Sequence, residues 1–258
     1  MAPMLASWRD DPVAFDDVPW FFLAHEVAHQ WWGQAIGGKN YHEQWLSEGL
    51  AQYFALRYVA SDRGPEAARD VISRMRDTVF NYTKAGPIYL GYRLGHVDNN
   101  PRAFRAVLYN KSALVLNMLR QLIGDEAFAA GLRRYYHDQR FGKAGTQDLQ
   151  FALEIESQHQ LGRFFDQWIM GASLPKLRVT TRIDGAGESA VVHVEQSGDV
   201  FDVPITVLVA YENGQTDTFT FGVNLASQDV PVPANPVKGK IRKIRVDETL
   251  TLAEFSRG

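Results

Sequence analysis

Cysteine is absent from this chain of 258 residues. That absence excludes disulfides, thiolate zinc ligands and a cysteine nucleophile together, while leaving the compartment open. No apolar run approaches the ~20 residues of a membrane-spanning helix. The opening stretch, MAPMLASWRDDPVAFDD, lacks the basic start and apolar centre of a signal peptide, so localisation stays unassigned. Charge of one sign is missing too. With 27 Lys and Arg against 30 Asp and Glu, the net charge of −3 offers no bulk attraction to nucleic acid or an anionic membrane. What is present is 45% hydrophobic and 22% charged, the composition of an ordinary globular chain long enough for one large domain or two smaller ones.

Two grammars divide the chain. Up to about residue 174, apolar residues recur at helical spacing between Pro and Gly punctuation. Asp16 and Asp17 offer a cap before Pro19, and WFFLAHEVAHQWW is expected to run as a helix to Gly33. Further helices are expected over residues 43–60, from Pro65 through EAARDVISRMRDTVF, and from Pro101 to Gly124. DEAFAAGLRRYYHDQ, TQDLQFALEIES and LGRFFDQWIM follow. After GASLPKL the segments become short and β-branched: LRVTTRI, SAVVHVEQ, VPITVLVAY, TDTFTFG and IRKIRV. Asn213-Gly214 between two of them is a hairpin signal. The expectation is an α+β, two-domain chain, with a helical domain over 1–174 and a small antiparallel β-sandwich over 175–258.

The chemistry concentrates at HEVAHQWWG. On a helix, His25 and His29 are four residues apart and project from one face, so both imidazoles can meet one ion. Glu26 sits beside the first of them, placed to act as a general base without binding the ion. A zinc site built for catalysis takes three protein ligands and keeps one position open. Glu48, in WLSEGLAQYF, is the natural third: eighteen residues separate it from His29, and the turn-rich GGKNYH would fold its helix back beside the histidines. The plainer alternative is an aromatic-rich core helix that happens to contain histidines. It explains Trp31 and Trp32, which read as core, but not the joint pattern.

HEVAHQWWG followed by WLSEGLAQYF resembles the zinc signature of the aminopeptidase N family of gluzincins, H-E-x-x-H, eighteen residues, then Glu within W-L-x-E-G. The resemblance implies one Zn²⁺ held by His25, His29 and Glu48, with Glu26 as base and a peptide as substrate. It also implies that the helical part is half of a thermolysin-like catalytic domain. Glu43 stands where the family often has Asp, which implies a supporting role near the ligands.

Hydrolysis of an amide builds an oxyanion, and a donor opposite the metal helps to stabilise it. The family uses a tyrosine in Y-x-K-G-A. LYNKSALVLNML offers Tyr109 at the matching place, with Ser112 where glycine is common. A phenol with a pKa near 10 donates a hydrogen bond at neutral pH without losing its proton. His42, His96, His137, His159 and His193 lie outside the pattern and read as structural or solvated. The run KGKIRKIR reads as a strand with one wet face rather than a nucleic-acid patch.

The family's G-x-M-E-N segment, whose glutamate binds the substrate's free amine on an opposite wall of the cleft, is not found in the sequence. The resemblance therefore implies a C-terminal part of a longer peptidase. Self-association, or pairing with an N-terminal segment, is expected to cover the face that wall would occupy. Three functions follow: a zinc metallopeptidase with aminopeptidase ancestry, a folded zinc-binding fragment without turnover serving a docking or structural role, or a zinc hydrolase of a non-peptide substrate.

Overall fold

A computed structural model describes residues 15, 18, 20–232, 235 and 237–256. The fold is α+β, and the chain divides into two compact units, Met1–Ser173 and Leu174–Gly258.

The first unit is built around one helix. α1 spans Phe21–Ala28 and a short strand, β1, Ile36–Gly38. α2 follows over Gln44–Arg63, with ten buried residues that include Trp45, Leu50, Ala51 and Leu56. A helix buried on nearly all sides must be central, and α1, α3 (Pro65–Asn81) and the helical run 101–123 all pack on it. Gly64 at φ 88° ends α2, and Pro65 starts α3 at once. A single turn, α4, covers Tyr92–His96. The run 101–123, α5, then α6 (Asp125–Gln139), β2 (Gly142–Ala144), α7 (Thr146–Ser157) and α8 (162–170) complete the unit.

Three details depart from the sequence expectation. The first helix does not run to Gly33. It ends at Ala28, where the amides of Gln34, Ala35 and Ile36 turn back to the carbonyls of His29, Gln30 and Trp31. Asp16, Asp17 and Pro19 lie outside the described residues, and the N-cap position is taken by Trp20 at φ 68°. The Pro101 helix is continuous but not uniform: Arg105–Lys111 is π-helical between two α segments. The helical unit also holds a small parallel ladder, Ile36 to Gly142 and Gly38 to Ala144.

The second unit holds two sheets, in strand order β7-β4-β3-β9 and β6-β5-β8. β3 (Lys176–Ile183), β4 (Ala190–Ser197), β5 (Val203–Tyr211), β6 (Thr216–Val223) and β8 (Ile241–Val246) are the five strands read from the sequence. β7 (Ser227–Val232) and β9 (Glu254–Ser256) add one edge each to the first sheet. β9 pairs with β3 in parallel, so that sheet is not wholly antiparallel. Its inward Leu177, Val192 and Val194, with Val203, Ile205, Val207 and Val209 from the other, form the core. The β5–β6 hairpin closes at Asn213-Gly214, with Gly214 at φ 82°. In β8, Ile241 and Ile244 are buried while Arg242, Lys243 and Arg245 are exposed, after a register shift between Ala210 and Tyr211. No helix among the described residues is long and apolar enough to cross a membrane.

Candidate metal centre

α1 turns Phe21, His25 and Ala28 inward, and His29 follows at the cap with its amide on the His25 carbonyl, 3.3 Å away. The helical offset of four residues is thus kept although the helix itself has ended. The chain then reverses through Gly33 at φ 117°, so close to α2 that a β-carbon there would collide with Ser47 Oγ. α2 carries Glu48 back to the histidines. His25 Nε2 and His29 Nε2 are 3.1 Å apart, and Glu48 Oε2 is 3.5 Å from the first and 3.4 Å from the second. Among the described residues this is the group able to hold a metal ion.

The opposite ring nitrogens explain why these atoms face each other. His29 Nδ1 donates to the Trp32 carbonyl at 2.9 Å, a carbonyl that also accepts from Ser47 Oγ at 3.1 Å. His25 Nδ1 lies 3.0 Å from Gln52 Oε1. With protons on both Nδ1 atoms, both Nε2 atoms turn lone pairs toward the Glu48 carboxylate. Three electron-pair donors then share one small space, an arrangement that a cation stabilises. Tetrahedral zinc with bonds of about 2.0–2.1 Å sets its ligand atoms roughly 3.3–3.4 Å apart, and the three separations bracket that value. The donor set fits zinc.

A proton on a histidine answers the same carboxylate. Burial pushes the Glu48 carboxyl up, but when His25 and His29 carry a proton on Nε2 their hydrogen bonds and positive charge overcome it and hold the group at about 2. The Glu48 hydrogen bond raises the His29 imidazole against its own burial, and the charge of Glu26 adds to the rise. The Glu26 side chain is exposed.

Tyr109 comes to the same place from α5. Its ring stacks on His25 with centroids 5.7 Å apart and planes 13° from parallel. It sits in the π-helical segment. Such segments recur at functional sites, and one changes which face of the helix the next residues present. Glu43 lies elsewhere: its buried carboxylate accepts from the Thr146 amide at 2.8 Å and the Thr146 hydroxyl at 2.7 Å, tying α2's start to α7.

The other histidines stay apart. His42 stacks on Tyr89 at 4.6 Å and bonds its carbonyl, and His96 meets Gln44 at 3.2 Å. His137 pairs with Asp138, His159 bonds the Ser157 carbonyl, and His193 sits between Asp229 and Glu195. Trp32 is core, stacked between Phe54 and Tyr135, whereas Trp31 is 47% exposed. A cavity of about 590 Å³ lies on that other face of α1, lined by Trp20, Leu23, Val27, Trp31, Phe54 and Tyr58. Sequence reasoning missed Ser47, Gln52 and Asn110. Gln52 did carry a signal: it lies one helical turn past Glu48, among Leu50, Ala51 and Tyr53.

Comparison with known proteins addresses the same region. Tricorn protease-interacting factor F2 of Thermoplasma volcanium is 26% identical over 203 residues, covering 72% of this chain and 24% of its own. Aminopeptidase N of Lactococcus lactis is 26% identical over 209 residues, covering 77% of this chain and 24% of its own. The chain thus spans about a quarter of the length of the curated relatives it matches. A crystal structure of Legionella pneumophila aminopeptidase A with aspartic acid superposes with a TM-score of 0.68 over 92% of this chain and 26% of that one. At 16% identity this likeness concerns the fold. The pattern described as the Peptidase family M1 domain matches residues 21–168, from the first residue of α1 into α8. With more than half of its length inside that pattern, the chain belongs to peptidase family M1.

Proposed function

We propose that His25, His29 and Glu48 hold one zinc ion, and that the chain carries the helical part of a metallopeptidase site cleaving N-terminal residues from peptides. One observation carries the reading: three electron-pair donors converge within 3.5 Å while the far nitrogen of each histidine sits against an acceptor oxygen. Family membership and the aminopeptidase relatives support the reaction class.

Zinc bound there supplies Lewis acidity at the position its three protein ligands leave open. The remaining work belongs to the chain's own side chains. Glu26, exposed and beside His25, takes the proton of the attacking water and later delivers it to the leaving amine. Tyr109, stacked on His25, donates its phenolic hydrogen to the carbonyl oxygen as that oxygen gains charge. Tyr109 remains protonated throughout, because it acts as a hydrogen-bond donor and not as a base.

The test is zinc content of the purified chain together with hydrolysis of a panel of aminoacyl anilides and amine-blocked peptides, with Glu26→Gln and Tyr109→Phe alongside. The expected result is one zinc per chain in all three proteins, turnover abolished by Glu26→Gln and kcat lowered ~10²–10³-fold by Tyr109→Phe. Zinc without turnover in the unsubstituted chain would reduce it to a folded zinc-binding module. Turnover of blocked peptides alone would overturn the aminopeptidase assignment. An absence of zinc would overturn the site.

A further inference from the structure

Behind His25 the structure holds a polar chain that the proposed reaction does not use. Gln52 and Asn110 are fully buried, each with 0% of its surface exposed. Gln52 Oε1 is 3.0 Å from His25 Nδ1, and Gln52 Nε2 donates to Asn110 Oδ1 at 2.9 Å. Asn110 Nδ2 has no hydrogen-bond partner. Asn110 is the neighbour of Tyr109 in the π-helical segment. Two amides therefore connect a ligand on α1, through α2, to the segment that carries Tyr109.

A neutral imidazole has one protonated nitrogen, and the partner of the other nitrogen decides which one it is. In the arrangement found, Gln52 offers an oxygen, so Nδ1 carries the proton and Nε2 keeps its lone pair. The reverse arrangement is sterically equivalent. Turning both amides over would let Asn110 Nδ2 donate to Gln52 and Gln52 Nε2 donate to His25 Nδ1. That arrangement moves the unmade hydrogen bond from Asn110 Nδ2 to Asn110 Oδ1 instead of removing it, and it puts the proton on Nε2, where it blocks a metal ion. The two orientations make the same number of hydrogen bonds within the chain, so what occupies the space at Nε2 decides between them.

We infer that Gln52 and Asn110 are positioning residues, a buried amide relay that holds His25 in the tautomer with a free Nε2 and couples that tautomer to the segment bearing Tyr109. This rests on the zinc reading above. Metal binding and amide orientation are then one equilibrium. Outer partners of a ligating histidine typically govern metal affinity 10–100-fold.

The experiment measures zinc affinity by competition with a chromophoric chelator and reads the His25 tautomer from ring ¹⁵N shifts of histidine-labelled, metal-free protein. His25→Ala assigns the signals. The unsubstituted chain should show a protonated Nδ1. Gln52→Met should lower zinc affinity 10–100-fold and mix the two tautomers. Gln52→Glu, which accepts from His25 with one oxygen and from a reoriented Asn110 amide with the other, should restore both. A neutral His25 that carries its single proton on Nε2 in the metal-free, unsubstituted chain would overturn the inference, and that reading needs no variant to fold. Unchanged affinity and tautomer in folded Gln52→Met would overturn it equally. A lack of zinc in the unsubstituted chain defeats the metal reading instead, and the ¹⁵N spectrum then decides the tautomer on its own.

Discussion

Gly49, the residue after Glu48, packs so tightly on Ser112 that a β-carbon at position 49 would lie 2.5 Å from Ser112 Cβ. The contact joins α2 to α5 between the glutamate of the cluster and Tyr109, so it sets how far apart the two are held. A glycine inside a helix ordinarily gains about 1 kcal/mol on becoming alanine. Here the neighbouring atom is a β-carbon that cannot swing aside, and overpacking of a tight core typically costs about 1–3 kcal/mol. Gly49→Ala should therefore be destabilising by up to about 2 kcal/mol in urea unfolding despite its better helix propensity. Ser112→Gly in the same chain should recover most of the loss. A Gly49→Ala chain more stable than the unsubstituted one, by the full propensity gain of about 1 kcal/mol, would count against this packing.

Glu43 ties α2's N-terminal end to α7. Its carboxylate is held by the amide and hydroxyl of Thr146, and that hydroxyl accepts in turn from Trp45 Nε1 at 2.9 Å. Thr146→Val keeps the shape and leaves the Trp45 N–H without its acceptor and the buried carboxylate short of one donor. The expected loss is about 2–3 kcal/mol, seen as a lower Tm with zinc stoichiometry unchanged. Zinc loss from a variant that still melts cooperatively would instead tie Glu43 to the cluster.

The convergence of His25, His29 and Glu48 was legible because its spacing is a matter of helix geometry: His25 and His29 share a face by the helical period, and one turn separates their helix from Glu48. The burial of α1 was less so. Apolar residues occupy 20, 23, 27 and 31 as well as 21, 28 and 32, so both faces carry a stripe and periodicity cannot choose between them. The structure buries Phe21, Ala28 and Trp32 and leaves Trp20, Leu23, Val27 and Trp31 exposed. Tyr109 was found through its neighbours in sequence, but the π-helical turn around it leaves no mark in seven residues. β1 and β2, reading IGG and GKA, carry no β-branched signal after the first residue. Gln52 and Asn110 were visible as polar residues in buried stretches; that they bond to each other is a matter of three-dimensional packing.

Lys111, two residues past Tyr109, is 3% exposed, and burial pulls its ammonium from 10.5 down to about 8. In the unfolded chain the same group titrates near 10.4. Between about pH 8 and pH 10 the unfolded chain holds the proton that the folded chain has released, so stability rises with pH across that window. Below pH 8 both states are protonated and the full cost of the buried charge, about 3 kcal/mol, is present. Above pH 10 the buried Tyr53, pushed up to about 12 by burial, begins to oppose the trend. Lys111→Met should be more stable than the unsubstituted chain at pH 7, by up to about 3 kcal/mol, and should lose the rise between pH 8 and pH 10. Urea unfolding of both proteins across that range reads the difference directly. Two parallel curves would mean that Lys111 reaches solvent in the folded chain and keeps its proton there.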